Sequence, residues 1–395
     1  MNDELLLDIS IVGAGVVGLT LAIALSQQGL KVALIDSKSV DYFSAQKSMK
    51  PYDARIYALN QAAMRLFNSI GMMPALWQSR HAIYRDMILW QKNRLQSLKL
   101  SSREHTIDQL GLIVEQSILV SLLWDQLLRE HDIKFIEDTT VEAVDSLAGR
   151  LVLRNGMCLH SKLIIGADGA RSIIRSKLDI VCEISSYDET ALVVNVFHSK
   201  PHESTAYQCF DGESTLAFLP LCDPHHSSVV WSLSTSAMQA VMDLSDEDFI
   251  KQLQSAFDHK LGPISLLNSR QIFPLIKRHV RKYFKDRVVL VGDAAHTIHP
   301  MAGLGLNLGL MDVTDLVGCL TSAFKKQKEV GSQKALRRYQ RLRSTHASMM
   351  LQLMDSLKWG FKNRLPFTWV NHAPWFKRRM INIAQGAYSL PMILQ

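Results

Sequence analysis

The stretch Asp8-Ile-Ser-Ile-Val-Gly13-Ala14-Gly15-Val-Val-Gly18 decides the fold. Its apolar first half reads as a buried strand, the glycines as a tight turn, and Leu19 to Gln28 as a helix that Gly29 ends in a left-handed cap. Lys31-Val-Ala-Leu-Ile-Asp36 is then a second strand, closing on an acid 18 residues after the last glycine. In a unit of this kind Gly13 permits the turn, Ala14 and Gly15 let backbone amides approach a pyrophosphate, and Gly18 lets helix and strand pack closely. The helix start stabilises the phosphate charge, and Asp36 would accept hydrogen bonds from an adenosine ribose. The unit is expected to bind a dinucleotide.

Working outward, Leu163-Ile-Ile-Gly-Ala-Asp168 and Arg287-Val-Val-Leu-Val-Gly-Asp293 are nearly all apolar, as strands covered on both faces should be. Between them Ala191–His198, Thr205–Phe210, Thr215–Leu221 and Ser228–Ser234 are short β-rich runs separated by turns such as Asp211-Gly212. They predict an antiparallel sheet. The expected class is α/β (α+β): a Rossmann-like nucleotide-binding domain from discontinuous segments (1–75, 105–180 and 281–335), an inserted sheet-rich substrate domain (76–104 and 181–280), and a C-terminal helical segment (336–395).

A second glycine-rich element identifies the dinucleotide. Val288-Val-Leu-Val-Gly292-Asp293-Ala-Ala-His296-Thr-Ile-His299-Pro300-Met-Ala-Gly303-Leu-Gly305-Leu306-Asn307 is again a strand, an acid, a proline-braced loop and glycines opening a helix. A nicotinamide cofactor has no use for a distant second cradle. FAD has: its ribityl hydroxyls need an acceptor such as Asp293, and helix amides near Gly305 to Asn307 would stabilise negative charge on reduced flavin. Asp168-Gly169 after a strand is a turn signal in its own right, with positioning and direct roles both open. His296 and His299 flank the loop and, with Pro300, are candidates to line the site or to cap the loop. Fourteen histidines include no His-Glu-x-x-His spacing, so no metal is expected. No Gly-x-Ser-x-Gly elbow or Walker A loop is present to anchor a hydrolase or ATPase.

These residues resemble a known class. Gly166-Ala-Asp168-Gly169-Ala-Arg-Ser172-x-x-Arg175 is similar to the middle motif of class A flavoprotein aromatic hydroxylases, and Gly292-Asp293 with its loop to their second FAD motif. More narrowly, Asp53-Ala-Arg55-x-x-Ala58-Leu59 and His299-Pro-Met-Ala-Gly-Leu-Gly-Leu-Asn-x-Gly309-x-x-Asp312 resemble the ubiquinone-biosynthesis hydroxylases. That family usually has glutamine where this chain has Leu304, and a β-branched residue or leucine at Met301. The resemblance implies that Arg55 lies near the flavin, that Gln116 contacts the FAD, and that Asp168 and Arg175 support the fold and shape the cofactor approaches. Gln116 reads equally as an ordinary polar helix residue. The implied reaction uses NADPH or NADH and O2: a flavin hydroperoxide hydroxylates the ring of a polyprenylated phenol, so few acid–base side chains are needed. A hydroxylase of a small soluble aromatic and an oxygen-independent flavin reductase or dehydrogenase are the alternatives.

Composition sets the remaining bounds. The 395 residues are 47% hydrophobic and 21% charged, as in folded globular chains, and the five scattered cysteines form no Cys-x-x-Cys pair. The first residues carry acids rather than export-signal basics, and Ile11 to Leu25 is too short, with three glycines, to span a bilayer. Net charge is +7, yet residues 336–379 hold ten Lys/Arg against Asp355, so this segment carries +9 and the remainder −2. The basicity is therefore local, and nucleic acid is not an expected partner. Tyr339, Leu342, His346, Met349, Met350, Leu353 and Leu357 are expected on one helical face, followed by Trp359, Phe361, Phe367, Trp369, Trp375 and Phe376 among basic residues. Such a segment suits a membrane surface or a partner protein, or packs on the FAD domain with its charges solvated. A cytoplasmic protein, peripheral to the inner face of the membrane, is expected.

Overall fold

The computed structural model describes residues 5–46, 52–94, 96–105, 107–212, 214–298, 303–362, 381–382 and 385–386. At its centre the strand Leu5–Val12 lies between two parallel neighbours, Val32–Ile35 and Cys158–Gly166, in the registers Ile9↔Val32 and Ile9↔Leu163. Val288–Leu290 and Ile133–Ile136 extend the sheet in parallel on either side, giving the order 284–285, 288–290, 158–166, 5–12, 32–35, 133–136. Every residue of Val32–Ile35 is buried, which explains the continuous apolar run: both faces of the strand are covered. The helix Val16–Ser26 returns over the sheet and is itself almost wholly buried, packed between Gln116–Leu127 and Leu304–Phe324.

A nine-stranded sheet forms the second half. Its main path runs 296–297, 271–280, 182–198, 226–234, 214–220, 205–211, 86–91, 97–101, with 264–266 on the side of 182–198. The four strands read from sequence are present; three are longer than expected, led by the 17-residue Cys182–His198, and the fourth, Ser214–Pro220, is shifted by one residue. One pairing breaks the antiparallel expectation, since Thr205–Asp211 lies parallel to Asp86–Gln91. Residues 76–104, expected to travel with the insert, divide: Ala82–Tyr84 joins Ile56–Leu59 and Gly111–Glu115 in a small three-stranded sheet, while 86–91 and 97–101 extend the large one.

Alternation along the long strands gives the large sheet two faces. Leu192, Val194, Val196, Val229 and Trp231 pack against the helices Thr235–Met242 and Asp246–Ala256 in a core of their own. The other face, with Val193, Asn195, Ser228 and Val230, turns towards the nucleotide-binding half, where Asn195 touches the segment 52–55.

The helix Gln333–Lys362 closes the described chain, and its buried face differs from the expected one. It consists of Leu336, Tyr339, Arg343, Ala347 and Met350, whereas Leu342 is 39% and Met349 56% exposed. Arg343, counted by sequence with the solvated basic cluster, is fully buried instead. Most of 363–395, including Phe367, Trp369, Trp375 and Phe376, lies outside the described residues, as do the side chains of Leu357 and Phe361.

Candidate functional site

The first glycine turn is built by close backbone packing on one side and open space on the other. A Cβ on Gly13, at φ +107°, would lie 2.5 Å from the Ala167 carbonyl oxygen, and one on Gly18 would meet the Gly13 oxygen. Neither position accepts a side chain. A Cβ on Gly15 would meet nothing within 4 Å. Asp36 holds this turn in place: Oδ2 accepts the Ala14 amide at 2.6 Å and Oδ1 accepts the Lys38 amide at 2.9 Å.

The second glycine element repeats the pattern. Gly303, in the left-handed region at φ +64°, opens the helix Leu304–Phe324 and sits so close to Ala58 that a Cβ would lie 2.9 Å from the alanine methyl. Gly305 faces open space, with nothing within 4 Å of where its Cβ would be. Gly309 and Gly292 both pack on Val17, which brings this helix against the start of Val16–Ser26. Helices that begin at Val40, Gln61, Ile173, Thr235 and Asp246 each carry a Ser or Asn side-chain cap. The helices opened by Gly15 and Gly303 carry none, as do those beginning at Met73 and Gln116; at Gly15 and Gly305 open space adjoins the helix start, where the first amides and the helix dipole suit an anionic ligand.

Beside these helix ends, where Gly15 and Gly305 face open space, Asp293 follows Gly292 and borders the candidate cleft. Its side chain is solvent-accessible yet surrounded by protein, and that desolvation raises its carboxyl above the usual range, with His296, Arg55 and Arg278 pulling the other way. The same neighbourhood holds Tyr57, whose phenol burial pushes up to about 12. Tyr57 donates to Gln116 Oε1 at 2.9 Å, and Arg55 Nη1 approaches the same oxygen at 3.4 Å. The Gln116 amide nitrogen is thus not spent on either contact. Arg55 also lies over the Phe273 ring of the large sheet, 5.9 Å from its centroid. Arg55, Gln116 and Asp293, far apart in sequence, are therefore neighbours here.

Other sequence candidates lie beneath the cleft. Leu306 sits half-buried in the first turn of the helix, while Asn307 is buried and spends its side chain on structure: Oδ1 accepts the Asn60 amide at 3.0 Å, and Nδ2 donates to the carbonyls of Ala58 and Gly303. Asp168 Oδ2 accepts the amides of Ile173 and Ile174, and burial raises its carboxyl. Arg175 joins the two motifs by donating to Ala294 and Ala170 carbonyls, each at 2.8 Å. His296 is 2% exposed, with Nε2 at 2.7 Å from Asp312 Oδ2, so its ring faces the interior rather than the cleft. His299, Pro300, Met301 and Ala302 lie outside the described residues, as does the Leu304 side chain.

Sequence reasoning missed the support under this loop. Asp312 Oδ2 also accepts the Gly292 amide at 2.7 Å, and Oδ1 receives Arg343 Nε at 2.5 Å. Arg343 further donates to Asp315 Oδ2 and the Leu308 carbonyl, both at 3.1 Å. Burial works to raise Asp312, but His296, Arg343 and the Gly292 amide outweigh it and hold the carboxylate below its ordinary value. The available signal was Arg343 itself, a cation four residues from Tyr339 on an apolar stripe.

Comparison with known proteins agrees with this geometry. Residues 7–354 match the family model described as the FAD binding domain. A 3-demethoxyubiquinol 3-hydroxylase of Escherichia coli (strain K12) is 32% identical, covering 91% of both chains. The mitochondrial ubiquinone biosynthesis monooxygenase COQ6 of Danio rerio is 29% identical over 90% of this chain and 83% of its own. Among solved structures, PqsL of Pseudomonas aeruginosa, titled a probable FAD-dependent monooxygenase, superposes with a TM-score of 0.77 at 21% identity, covering 91% of this chain and 98% of its own.

Proposed function

The chain belongs to the FAD binding domain family, and from that premise we propose that it is an NAD(P)H- and O2-dependent monooxygenase that hydroxylates the aromatic ring of a polyprenylated phenol in ubiquinone biosynthesis. The observation that carries this reading is the pair of uncapped, glycine-opened helix ends that meet at Val17, with Asp293 and Arg55 in the cleft beside them. FAD fits this arrangement. The Gly13–Gly15 turn would hold the pyrophosphate, Asp36 the adenosine ribose, and Gly292–Asp293 the ribityl chain, while Gly303, Gly305, Leu306 and Asn307 would bring helix amides to the ring system. When bound, the flavin supplies the redox and oxygen-transfer chemistry.

The protein's own part is to bind, orient and shield. Arg55 and Gln116 offer donors where Asp293 sets one side of the cleft, and Arg175 with Asp168 fixes the middle motif against the second loop. On the opposite side the large sheet presents Val193, Val230 and Ala217, small uncharged residues that leave room for an apolar ring. Such a face excludes water and holds a ring in register without drawing a charge into the site. Residues 181–280 are therefore assigned to substrate and the remaining motifs to cofactor.

A prenylated substrate partitions into lipid, so we place the protein at the cytoplasmic face of the membrane, either on the lipid or on other enzymes of the pathway. In support, the outer surface of Gln333–Lys362 presents Leu342, Met349 and Trp359, the last 62% exposed, beside exposed Arg337 and Arg341. Among the described residues no helix is long and apolar enough to cross a membrane. Reversing Arg337 and Arg341 to Glu is expected to lower binding to anionic vesicles; unchanged binding would return this helix to ordinary packing.

The decisive experiment is a lipid extract from cells lacking the gene. Loss of ubiquinone, with accumulation of a prenylated precursor short of one ring oxygen, is expected. An unchanged quinone pool, with no second gene compensating, would refute the substrate.

A further inference from the structure

The segment Tyr52–Arg55 crosses between the two halves of the molecule and is held from both. On the nucleotide side the buried Glu115 accepts the Asp53 amide at 2.7 Å and pairs with Arg80, whose guanidinium lies over the Tyr52 ring. Asp53 Oδ2 accepts the Ser117 amide at 2.7 Å, and the Arg55 carbonyl accepts the Gln116 amide at 3.1 Å. On the substrate side the Tyr52 hydroxyl lies 3.2 Å from His226 Nδ1 and Arg55 lies over Phe273, and the hold on the backbone itself comes from Asn195. This fully buried residue stands in the middle of the apolar run Ala191–Phe197, on the long strand Cys182–His198. Its Nδ2 donates to the Tyr52 carbonyl at 3.3 Å and to the Asp53 carbonyl at 3.0 Å.

A lone amide inside an apolar strand costs stability unless its polar atoms are partnered. Asn195 Oδ1 has no partner among the described residues, nor has the Ser228 hydroxyl on the residue directly opposite. The side chain is thus oriented by its two donated bonds alone, and both end on the backbone two or three residues before Arg55.

We propose that Asn195 is a positioning residue for Arg55: by clamping the Tyr52 and Asp53 carbonyls to the substrate sheet, it sets the register of the Arg55 guanidinium at the flavin cleft. The proposal rests on the placement of Arg55 beside the flavin made above. It makes the substrate sheet a determinant of the cofactor environment, acting through the Tyr52 and Asp53 backbone. Loss of the two bonds lets the segment relax, and Arg55 no longer meets the cleft in one orientation.

The test is a double-mutant cycle on the full-length holoenzyme, reading the dissociation constant of FAD and the absorption spectrum of the bound flavin. Asn195→Asp keeps shape but, when ionised, turns an acceptor towards two carbonyl oxygens; Arg55→Ala removes the group acted upon. Each single change is expected to weaken FAD binding about tenfold, the scale of one or two lost hydrogen bonds. If Asn195 acts through Arg55, the double variant is no weaker than either single one and shows the same displaced flavin bands. Multiplying effects, about a hundredfold in the double variant, would overturn the proposal and leave Asn195 a general packing residue. So would wild-type affinity and spectrum in Asn195→Asp. A silent Arg55→Ala would instead refute the placement of Arg55 by the flavin, and the proposal with it. Should Asn195→Asp fail to fold, Asn195→Ser, which retains a single donor, is read in the same cycle.

Discussion

Replacing Arg343 by Met tests the buried ion network beneath the flavin loop. The guanidinium and both carboxylates have essentially no exposure, and the side chain of Arg343 makes three bonds, to Asp312, Asp315 and the Leu308 carbonyl. Methionine fills much of the same volume but leaves two acids buried with no guanidinium between them. Removing one partner of a buried pair costs about 3–5 kcal/mol, and the upper half of that range applies where two anions are abandoned together. The pH dependence gives a second, sharper signature. In the native protein Asp312 is held below the unfolded value of about 3.9, so its contribution is complete above that pH and is lost only as pH falls through the folded value. In the variant both carboxylates move upward, Asp315 from a position that burial already raises. Their penalty is then full at high pH and is relieved as protons bind. Urea unfolding of both proteins at pH 8 and pH 5.5, followed by tryptophan fluorescence, should show the deficit of Arg343→Met shrinking at the lower pH. A deficit below about 1 kcal/mol, or one equal at the two pH values, would refute the account of a charge-compensated network.

Asp293→Ala should purify with a native circular dichroism spectrum and little flavin; full flavin content would remove Asp293 from the cofactor site. Gly15→Ala meets nothing within 4 Å and keeps an ordinary φ of −72°, so it should cost about 1 kcal/mol or less in stability while sharply lowering FAD affinity. Gly13→Ala, at φ +107° and against the Ala167 carbonyl, should fail to accumulate as folded protein, and equal behaviour of the two variants would contradict the packing described. His198 is buried, and desolvation depresses its imidazole to about 4. Its stabilising effect is complete above the unfolded value near 6.5 and declines as pH falls towards about 4, so His198→Gln should flatten the acid limb of the unfolding midpoint against pH.

The sequence made legible those parts where one residue type answers one local need. The turn at Gly13, the parallel strands at 32–35 and 288–290 and the long strand around 191–198 all announce themselves through glycine or unbroken apolar runs. So did Asp36 and Asp293, acids at strand ends. What stayed hidden depends on partners far away in the chain. Arg343 looked like one of ten surface cations because its carboxylates lie 28 and 31 residues earlier on another helix. Asn195 looked like a strand residue because its targets, Tyr52 and Asp53, are over 140 positions away. Strands 86–91 and 97–101 were hard to read for a related reason: the first, Asp-Met-Ile-Leu-Trp-Gln, shows no alternation, and the second alternates over only five residues, with the partner that orders them, 205–211, more than 100 positions away. His296 read from its place in the motif as a candidate either to line the site or to cap the loop; a two-residue strand turns it inward onto Asp312.

The central strand Leu5–Val12 has consequences for how the chain is made. Its neighbours come from residues 32–35 and 158–166, and the strand beyond them from 288–290. At ribosomal rates of about 5–20 residues per second, roughly 15 to 55 seconds separate synthesis of the first strand from arrival of the last. From completion of Cys158–Gly166 until 288–290 arrives, the sheet has an open edge at Ile164–Gly166. Contacts of such sequence separation are slow to form, and an unpaired edge of this kind is a template for wrong pairing that chaperones would shield. Lowering chaperone capacity should therefore reduce the yield of this protein before it affects the activity of molecules already folded.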